Sequence, residues 1–269
     1  MSEMRQRWRL IFSRDDDARF LAHLDAVHLW ERAFRRGDIP VATTEGHSPR
    51  PRLIFAAPLP LGMMAERELA DLFLSERLSR ADLQARLGNG MPRGYNLMDL
   101  HDVWVGAPAL ATQLVAADYR LTLLGADRAV LEGVVAALLR APELRREKHR
   151  EKKAIAYDLR PLVLDLQVRN APDASADAVL GMAEPAADLW MRLRHSQDLG
   201  SGRPEEVVAA IADQLGMALL GPIGSGTAEP DRPAGREPVL PAEIEADRPA
   251  LEIVRPVRER LWLSDELAL

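Results

Sequence analysis

The sequence predicts an α+β protein of 269 residues, and three observations support this prediction. Short segments in which apolar and polar residues alternate, as in strands, recur along most of the chain. Longer segments with apolar residues at helical spacing separate them, and several end at a glycine. In each half of the chain, the predicted elements approach the order strand, helix, strand, strand, helix, strand. This order is typical of two tandem ferredoxin-like (βαββαβ) domains, each with helices on one face of an antiparallel sheet.

The first predicted domain, residues 1–108, contains all six elements of this order. Its predicted strands cover residues 7–14, 51–58, 67–75 and 95–106, and its predicted helices cover residues 19–37 and 79–88. Gly37 is a plausible helix stop, and Ser79 a plausible helix cap.

The second predicted domain, residues 109–221, repeats the order with one additional strand. Strands are predicted at 113–124, around 145–159, at 161–169, at 187–195 and at 217–221, and helices at 127–141 and from Arg203-Pro204 to about Gly216. Pro204 suits the first turn of a helix, where its missing N–H has no intrahelical partner.

Residues 222–269 are predicted to form a Pro/Gly-rich acidic linker and a short terminal segment. Residues 222–249 contain few apolar residues and should form a flexible tail. The segment 255–269 carries Trp262 and several leucines, and we expect it to dock as a short helix or to serve as a peptide for a partner.

Composition excludes several classes of function. The chain has no cysteine, which excludes disulfides, thiolate zinc sites, cysteine nucleophiles and protein-ligated iron–sulfur clusters of the usual kind. No histidine or carboxylate motif predicts a metal site, and no cofactor is predicted. No apolar run approaches the roughly 18–20 residues that span a membrane, and the N-terminus lacks a secretory signal, so a cytoplasmic protein with no membrane partner is predicted.

Charge is unevenly distributed, although the net charge is −6. Residues 140–160 contain eight Arg or Lys and four Asp or Glu, a local charge of +4, and all three lysines of the chain lie there. Residues 221–269 contain six Arg and ten acids, a local charge of −4. An acidic chain can therefore still present a basic surface to an anionic polymer.

Three basic segments are candidate phosphate-binding sites. The first lies along the helix predicted at 19–37 and comprises Arg19, His23, Arg32, Arg35 and Arg36. The alternative is an ordinary solvated helix rim on which Glu31 and Arg35 form an i, i+4 ion pair.

The second segment is the loop that precedes the strand at 51–58. Pro49 and Pro51 stiffen this loop, which presents Arg50 and Arg52 beside His47. Guanidinium groups on a stiff loop suit phosphate oxygens, because arginine binds them bidentately. A rigid connection whose arginines face water is the alternative.

The third segment is a basic ribbon within residues 145–159 that carries Lys148, Lys152 and Lys153. It would follow a phosphate backbone, with binding that weakens strongly as salt is added; the alternative is a solvated surface hairpin. Arg203 follows a Gly-Ser-Gly turn directly before a helix N-terminus, where free N–H groups can receive an anion.

These segments also carry a family resemblance. The sequences "RFLAHLDAVHLWERAFRR" and "EGHSPRPRLIFAAPLPLG" resemble the start of the radical-SAM-linked proteins, a bacterial family of unknown function, and "EKKAIAYDLRPLVLDL" and "SGRPEEVVAAI" resemble its second half. The resemblance spans roughly residues 5–220. By position, the motif residues are Arg19, Phe20, His23, Asp25, Glu31, Arg32, Arg35, Arg36, Gly46, Pro49, Pro51, Gly62, Asp158, Arg160, Pro161, Arg203 and Pro204. The chain departs from the family pattern at Ala22 (usually serine), His47-Ser48 (usually Phe-Asn) and Arg52 (usually lysine).

Members of that family occur alone or fused after a radical S-adenosylmethionine enzyme, and are often encoded near ribonuclease and ribosomal-protein genes. The resemblance therefore implies a partner or substrate-recruiting module that acts on RNA. Because this chain has no cysteine for a radical cluster, the radical enzyme would be a separate polypeptide.

Three functional hypotheses follow. The first is a non-catalytic, accessory RNA-binding protein that works beside a separate radical enzyme. The second is a metal-independent RNA-processing or RNA-modifying enzyme in which His23 or His47 is the general acid/base, within reach of Asp25 or Glu45. The third is a protein-interaction scaffold without RNA, in which the acidic tail and Trp262 bind a partner.

Overall fold

The computed structural model of the chain describes residues 4–45, 47, 49–150, 153–170, 187–196, 198–221 and 249–267. The helices within these ranges are α1 (His23–Arg36), α2 (Arg80–Gly90), α3 (Leu110–Gln113), α4 (Arg128–Arg140) and α5 (Pro204–Leu215). The strands are β1 (Gln6–Arg14), β2 (Leu53–Phe55), β3 (Met64–Leu74), β4 (Tyr95–Val103), β5 (Leu114–Leu124), β6 (Arg145–Arg150), β7 (Lys153–Asp158), β8 (Val163–Asn170), β9 (Ala187–Ser196), β10 (Gly200–Ser201), β11 (Ala218–Leu220) and β12 (Ala250–Leu263).

The chain is a mixed α+β protein with a large, mostly antiparallel sheet, so the predicted fold class is confirmed at this level. Each helix and strand predicted between residues 7 and 221 has a counterpart within a few residues of its expected ends. The largest difference is the start of α1, because a 3-10 turn at Asp16–Ala18 precedes it and the chain is extended at Ala22.

The chain divides into two compact units. Unit 1 comprises Met1–Tyr119, His195–Gly200 and Val257–Leu269, and unit 2 comprises Arg120–Arg194 and Ser201–Pro256. The predicted boundary between residues 108 and 109 stays a prediction.

In unit 1, β1 lies between β3 and β4, and β2 pairs with the other edge of β3, all antiparallel. The helices α1 and α2 pack together over the face formed by alternate residues of these strands. Trp8, Leu10 and Phe12 of β1 and Trp30 and Phe34 of α1 belong to this core, and each is at most 4% exposed. The alternation in the sequence therefore assigns the inward face correctly.

In unit 2, β8 pairs antiparallel with β9, and β6 and β7 form a separate two-stranded hairpin. The helix α4 packs on β8 and α5. The helix α5 begins at Pro204, as the sequence predicts, and ends at Gly216, whose φ of 65° lies in the left-handed region that favours glycine.

The prediction of a short helix or a presented peptide over residues 255–269 is wrong. Residues Ala250–Leu263 form β12, in which Leu251, Ile253, Val257 and Leu261 are buried. These apolar residues lie an even number of positions apart, which places them on one face of a strand. Trp262 lies inside this strand, beneath the guanidinium of Arg260 at 3.8 Å from its ring centroid.

The predicted flexible part of the acidic tail, residues 222–248, lies outside the described residues. Among the described residues, no helix is both long enough and apolar enough to cross a membrane.

Candidate nucleic-acid interface

Unit 1 contains a small pocket, partly open to solvent, between the first turn of α1 and the sheet. Its lining combines aromatic rings with four polar side chains. The lining residues are Phe12, Arg14, His23, Ala26, Phe55, Ala57, Leu59, Glu68 and Tyr95.

The strand register explains why charged residues lie in this pocket. Phe12 of β1 pairs with Glu68 of β3, and Arg14 pairs with Tyr95 of β4. The register shifts between Phe12 and Arg14, which marks a bulge. Bulges redirect side chains and are common near functional sites. The residues of β1 and β3 that face the helices are therefore apolar along most of each strand. Near the bulge this face instead carries Arg14 and Glu68.

Arg14 fixes the loops around the pocket. Its side chain is only 4% exposed, and its terminal nitrogens donate to the carbonyls of Arg19 (3.0 Å), Leu21 (3.5 Å), Pro60 (3.1 Å) and Met63 (2.9 Å). Burial lowers the pKa of Arg14, while the neighbouring Tyr95 opposes that shift. The guanidinium nevertheless stays charged at neutral pH.

Glu68 is held by a buried ion pair. Its Oε1 accepts from Nε of Arg258 at 2.7 Å, and its Oε2 accepts from a terminal nitrogen of the same guanidinium. Arg258 also donates to the carbonyls of Pro58 and Ala57. Burial lowers the pKa of Arg258, but the paired carboxylate and Tyr119 together outweigh burial and raise it. The guanidinium of Arg258 is therefore held in its charged form.

His23 stands at the mouth of the pocket. It shares the inward stripe of α1 with Ala26 and Trp30, at i, i+3 and i+7, but its own ring remains exposed on one side. The ring meets the edge of Phe55 with centroids 5.5 Å apart. Partial burial, and secondarily the charge of Arg14, lower the pKa of His23, so its neutral form predominates at pH 7.

An exposed aromatic residue lies next to this mouth. Phe20 is 59% exposed, and the guanidinium of Arg19 lies 4.6 Å from the centroid of its ring. The carbonyls on both sides of Phe20, those of Arg19 and Leu21, accept hydrogen bonds from Arg14. Arg19 also pairs with Asp16 at 2.8 Å. Phe20 is therefore a solvent-facing ring on a firmly held loop.

The arginines of α1 do not form one edge with His23. Arg32 is exposed on the outer side of the helix, and Arg35 is 73% exposed and 3.9 Å from Glu31, the pair that the sequence predicts. Arg36 donates to the carbonyl of Gly90 at 2.8 Å and so ties α1 to the end of α2. Arg32 and Arg35 remain accessible to a ligand, whereas Arg36 has a structural contact.

The two arginines of the loop before β2 also differ in how accessible they are to a ligand. Arg50 is exposed, and its backbone is fixed by two hydrogen bonds with Thr44, at 2.8 and 3.1 Å. The guanidinium of Arg52 lies 4.7 Å from the ring centroid of Phe73, so part of its surface is used in packing. His47 is exposed and does not line the pocket of His23.

The basic ribbon is the β6–β7 hairpin of unit 2. Lys148 pairs with Ile155, and Lys153 with Arg150, in the strand register, while Lys152 lies outside the described residues. Arg146 of β6 joins the hairpin to α5 through Glu206 at 3.4 Å and through Asp213.

Two further side chains lie near this junction. Burial, and then Glu206, raise the pKa of Tyr157 to about 12, so its hydroxyl remains protonated. Arg203 is exposed at the cap position of α5.

The enzyme hypothesis is met only in part. His23 lines a pocket, but the expected partners Asp25 and Glu45 make no hydrogen bond to it within the described chain. Glu68 is the carboxylate that shares the pocket. The described residues also contain no group of three or more His, Asp or Glu placed to hold a metal ion.

Sequence reasoning missed Arg14, Glu68, Tyr95 and Arg258. A signal for two of them exists, because Arg14 and Glu68 occupy positions at which a strictly alternating strand would place an apolar residue. Arg258 carries no local signal, since its partner lies 190 positions away.

These features define an α+β protein with a charged pocket beside an exposed aromatic and basic surface. A family model described as an uncharacterized protein conserved in bacteria (DUF2344) matches residues 7–191, and the chain belongs to this family. No curated protein matches the chain.

Solved structures that match include an unknown protein from Galdieria sulphuraria, at 14% sequence identity and a TM-score of 0.24. That match covers 80% of this chain and 95% of the other. A TM-score this low supports no conclusion about fold or function.

Proposed function

We propose that this protein is a cytoplasmic RNA-binding accessory protein that recruits single-stranded RNA to a separate radical S-adenosylmethionine enzyme. The observation that carries the RNA part is the exposed ring of Phe20, stacked against Arg19 beside the pocket of unit 1. Unpaired bases stack on such rings, and arginine binds the adjoining phosphates.

Accessible arginines supply further phosphate contacts in this proposal. Arg50 lies on the chain segment that leads into β2, five positions before Phe55, whose ring meets His23. Five extended residues span at most roughly 16 Å, which sets an upper limit on the distance between Arg50 and Phe55. Arg32, Arg35 and Arg203 are also exposed. Lys148, Lys152 and Lys153 give the segment 145–159 its local positive charge in the sequence.

The radical-enzyme part rests on the resemblance of residues 5–220 to the radical-SAM-linked proteins and on the absence of cysteine. Its test is reconstitution. A candidate radical enzyme should bind immobilised full-length protein and should modify RNA faster when the protein is present. An equal rate with and without the protein would remove this part of the proposal.

The proposal includes a finer description of the fold, in which each unit is a ferredoxin-like domain and residues 222–249 form an acidic tail. The strand order β2-β3-β1-β4 with α1 and α2 on one face supports it for unit 1. In unit 2, the hairpin and β11 are additions to the simple pattern. An experimental structure with this strand order in each unit is its test.

RNA binding is tested with the full-length chain and a fluorescent single-stranded RNA, by anisotropy between about 50 and 200 mM salt. We expect Phe20→Ala to weaken binding about tenfold, because stacking of one base on an aromatic ring contributes roughly 1–3 kcal/mol. Phe20→Trp should bind as well as the wild type. Trp104, which is 77% exposed in the same unit, provides the matched control, and Trp104→Ala should have little effect.

Arginine variants test the phosphate contacts separately. Arg50→Ala should weaken binding and reduce the slope of log affinity against log salt by about one. The matched control is Arg80→Ala on α2, whose side chain is 58% exposed and pairs with Asp99. Absence of salt-dependent binding, or equal losses in Phe20→Ala and Trp104→Ala, would overturn the proposal.

One observation favours metal-independent RNA processing as a second candidate function. His23 is neutral, lines the pocket and lies near the Arg14 guanidinium, so it has the form required of a general base beside a group that stabilises negative charge. Wild-type protein would then convert RNA to shorter or altered products, and His23→Ala would not. RNA that stays intact after prolonged incubation with the wild type would exclude this function.

A further inference from the structure

The strands β8 and β9 give unit 2 a sheet with two different faces. Leu166 of β8 lines a small apolar cavity together with Leu138 of α4 and Val207 of α5, so its side chain lies on the face that carries the helices. Met191 of β9 pairs with Leu166 and is fully buried. Because side chains alternate along a strand, the residues on either side of these two project from the opposite face.

That opposite face carries a cluster of arginines around one tryptophan, which we call the arginine face. Its charged and aromatic residues are Arg120 of β5, Asp165 and Arg169 of β8, and Asp188, Trp190, Arg192 and Arg194 of β9. Four arginines and two aspartates give this set a net charge of +2. Its arginines belong to none of the three basic segments that stand out in the sequence.

The indole of Trp190 holds two of these arginines against the sheet. The guanidinium of Arg169 lies 4.1 Å from the centroid of the Trp190 ring, and that of Arg192 lies 5.4 Å from it. Both distances are in the range of cation–π contacts. Trp190 is only 6% exposed, whereas Arg169 is exposed and Arg192 is half-buried. A ligand on this face therefore meets guanidinium groups rather than the aromatic ring.

The two aspartates of the arginine face have hydrogen-bond donors of their own. Oδ1 of the buried Asp188 accepts from the hydroxyl of Thr122 at 2.7 Å, and its Oδ2 lies 4.0 Å from Arg120. The oxygens of Asp165 accept from the next backbone N–H at 2.8 Å and from the side-chain amide of Gln167 at 2.7 Å. These carboxylates therefore do not depend on the arginines stacked on the indole for their hydrogen bonds.

Stacked arginines of this kind suit phosphate oxygens. The N–H donors of a guanidinium lie in its plane, so a group that stacks on a ring can still donate bidentately to a phosphate. Within the described residues, Arg169 donates to Oε1 of Gln167 at 3.3 Å, which uses one of its five N–H groups. Contact with the ring also restricts side-chain motion, which reduces the entropy lost on binding.

We propose that the arginine face of unit 2 binds phosphates of the single-stranded RNA. Arg169 and Arg192 make the principal contacts, and Arg194 adds positive charge beside them. These contacts do not depend on the identity of the bases, because the phosphates carry no sequence information. This inference rests on the proposed RNA binding and adds a phosphate site in unit 2 to the stacking site at Phe20 of unit 1.

The test uses the full-length protein and fluorescent oligo-uridine and oligo-adenosine, with anisotropy measured between about 50 and 200 mM salt. The double variant Arg169→Gln/Arg192→Gln should bind at least about fivefold more weakly, because charge-assisted hydrogen bonds are lost. It should also reduce the slope of log affinity against log salt by about 1.4, since each phosphate contact to a single strand contributes roughly 0.7. The loss should be equal for the two RNAs.

Two further variants separate geometry from charge. Arg169→Lys/Arg192→Lys retains both charges but not the planar guanidinium, so affinity should fall while the salt slope stays close to that of the wild type. The matched control is Arg80→Gln/Arg140→Gln, which removes two charges from exposed positions on α2 and α4. This control should bind RNA nearly as well as the wild type.

Failure of the two proposals gives different results. Equal affinities and slopes in the two glutamine double variants, or a loss confined to one of the two RNAs, would overturn the arginine face. The proposed function would then stand if Phe20→Ala still weakened binding. A loss in Arg169→Gln/Arg192→Gln with full binding by Phe20→Ala would support the arginine face and overturn the stacking site that carries the proposed function. A wild-type protein that binds neither RNA at 50 mM salt would overturn both.

Discussion

The guanidinium of Arg258 and the carboxylate of Glu68 form a two-point ion pair, with Nε of Arg258 2.7 Å from Oε1 of Glu68 and both side chains at most 4% exposed. The pair joins β12 to β3, which are also parallel neighbours at Arg258 and Ala65. The pair places the carboxylate of Glu68 in the wall of the candidate site. It also fixes the position of β3, the strand that carries Glu68.

Removal of either partner should be strongly destabilising, because it leaves the other charge buried without compensation. We expect Glu68→Leu and Arg258→Met each to lower the free energy of unfolding by about 3–5 kcal/mol in urea denaturation. The double variant should be clearly more stable than the sum of the two losses predicts. The comparison is Arg35, which is 73% exposed and lies 3.9 Å from Glu31, and Arg35→Met should cost less than about 1 kcal/mol. Additive losses at Glu68 and Arg258 would contradict the ion pair.

Stability should fall between pH 6.5 and 4 because of His195. Burial, and then the charge of Arg258, lower the pKa of His195 to about 4 from an ordinary value of 6.5. In this window the unfolded chain binds a proton that the folded chain does not, so folding becomes less favourable as pH decreases. The full shift corresponds to about 3 kcal/mol.

The measurement is chemical denaturation of the wild type and of His195→Gln at several pH values. The stability difference between the two proteins should change with pH inside the window and should be constant above pH 7. A difference that is constant throughout would show that His195 titrates normally.

The hairpin of unit 2 should depend on Arg146 for its order. Arg146 is 20% exposed and connects β6 to Glu206 and Asp213 of α5, whereas the adjacent Arg145 is 82% exposed and pairs with Glu143 at 2.9 Å. Arg146→Ala should speed amide exchange in β6 and β7 by about tenfold, since a partly buried ion-pair network of this kind contributes on the order of 1–2 kcal/mol.

Arg145→Ala removes the same charge and is the matched control for this exchange experiment. It should leave the protection of β6 and β7 close to that of the wild type. Equal protection in both variants would mean that contacts other than those of Arg146 hold the hairpin.

Residues near the C-terminus should contribute to stability as core residues do. Ile253 is 2% exposed in β12, so Ile253→Ala should lower the free energy of unfolding by about 2–4 kcal/mol. Asp265→Ala, at an exposed position after the strand, should change it by less than about 0.5 kcal/mol. If Ile253→Ala were equally harmless, this segment would be a dispensable tail in solution.

Local patterns predicted most of the fold, because they report on which face of an element is buried. The stripe through Trp30 and Phe34 defines α1, and alternation through Trp8 and Leu10 defines β1. The strand β12 escaped prediction because it follows an acidic, Pro-rich segment and because its partner at Met64 lies far away in sequence. The apolar alternation of β12 is a signal for a strand, but it does not show which distant strand is the partner.

The candidate site was predicted less completely than the fold. His23 and Arg19 stand out in the sequence because they belong to a family motif. Arg14 and Glu68 do not, because a charged residue in a strand is normally assigned to the solvent face. Strict alternation would place both residues on the inward face, and the register confirms that Glu68 lies across from Phe12.

The position of Arg258 also has a consequence for biosynthesis. At about 5–20 residues per second, a ribosome needs roughly 10–40 s to add the 190 residues that separate Glu68 from Arg258. During that interval the Glu68 carboxylate has no guanidinium partner from β12, and unit 1 lacks a strand. Completion of unit 1 is therefore coupled to the synthesis of residues 257–263 of β12.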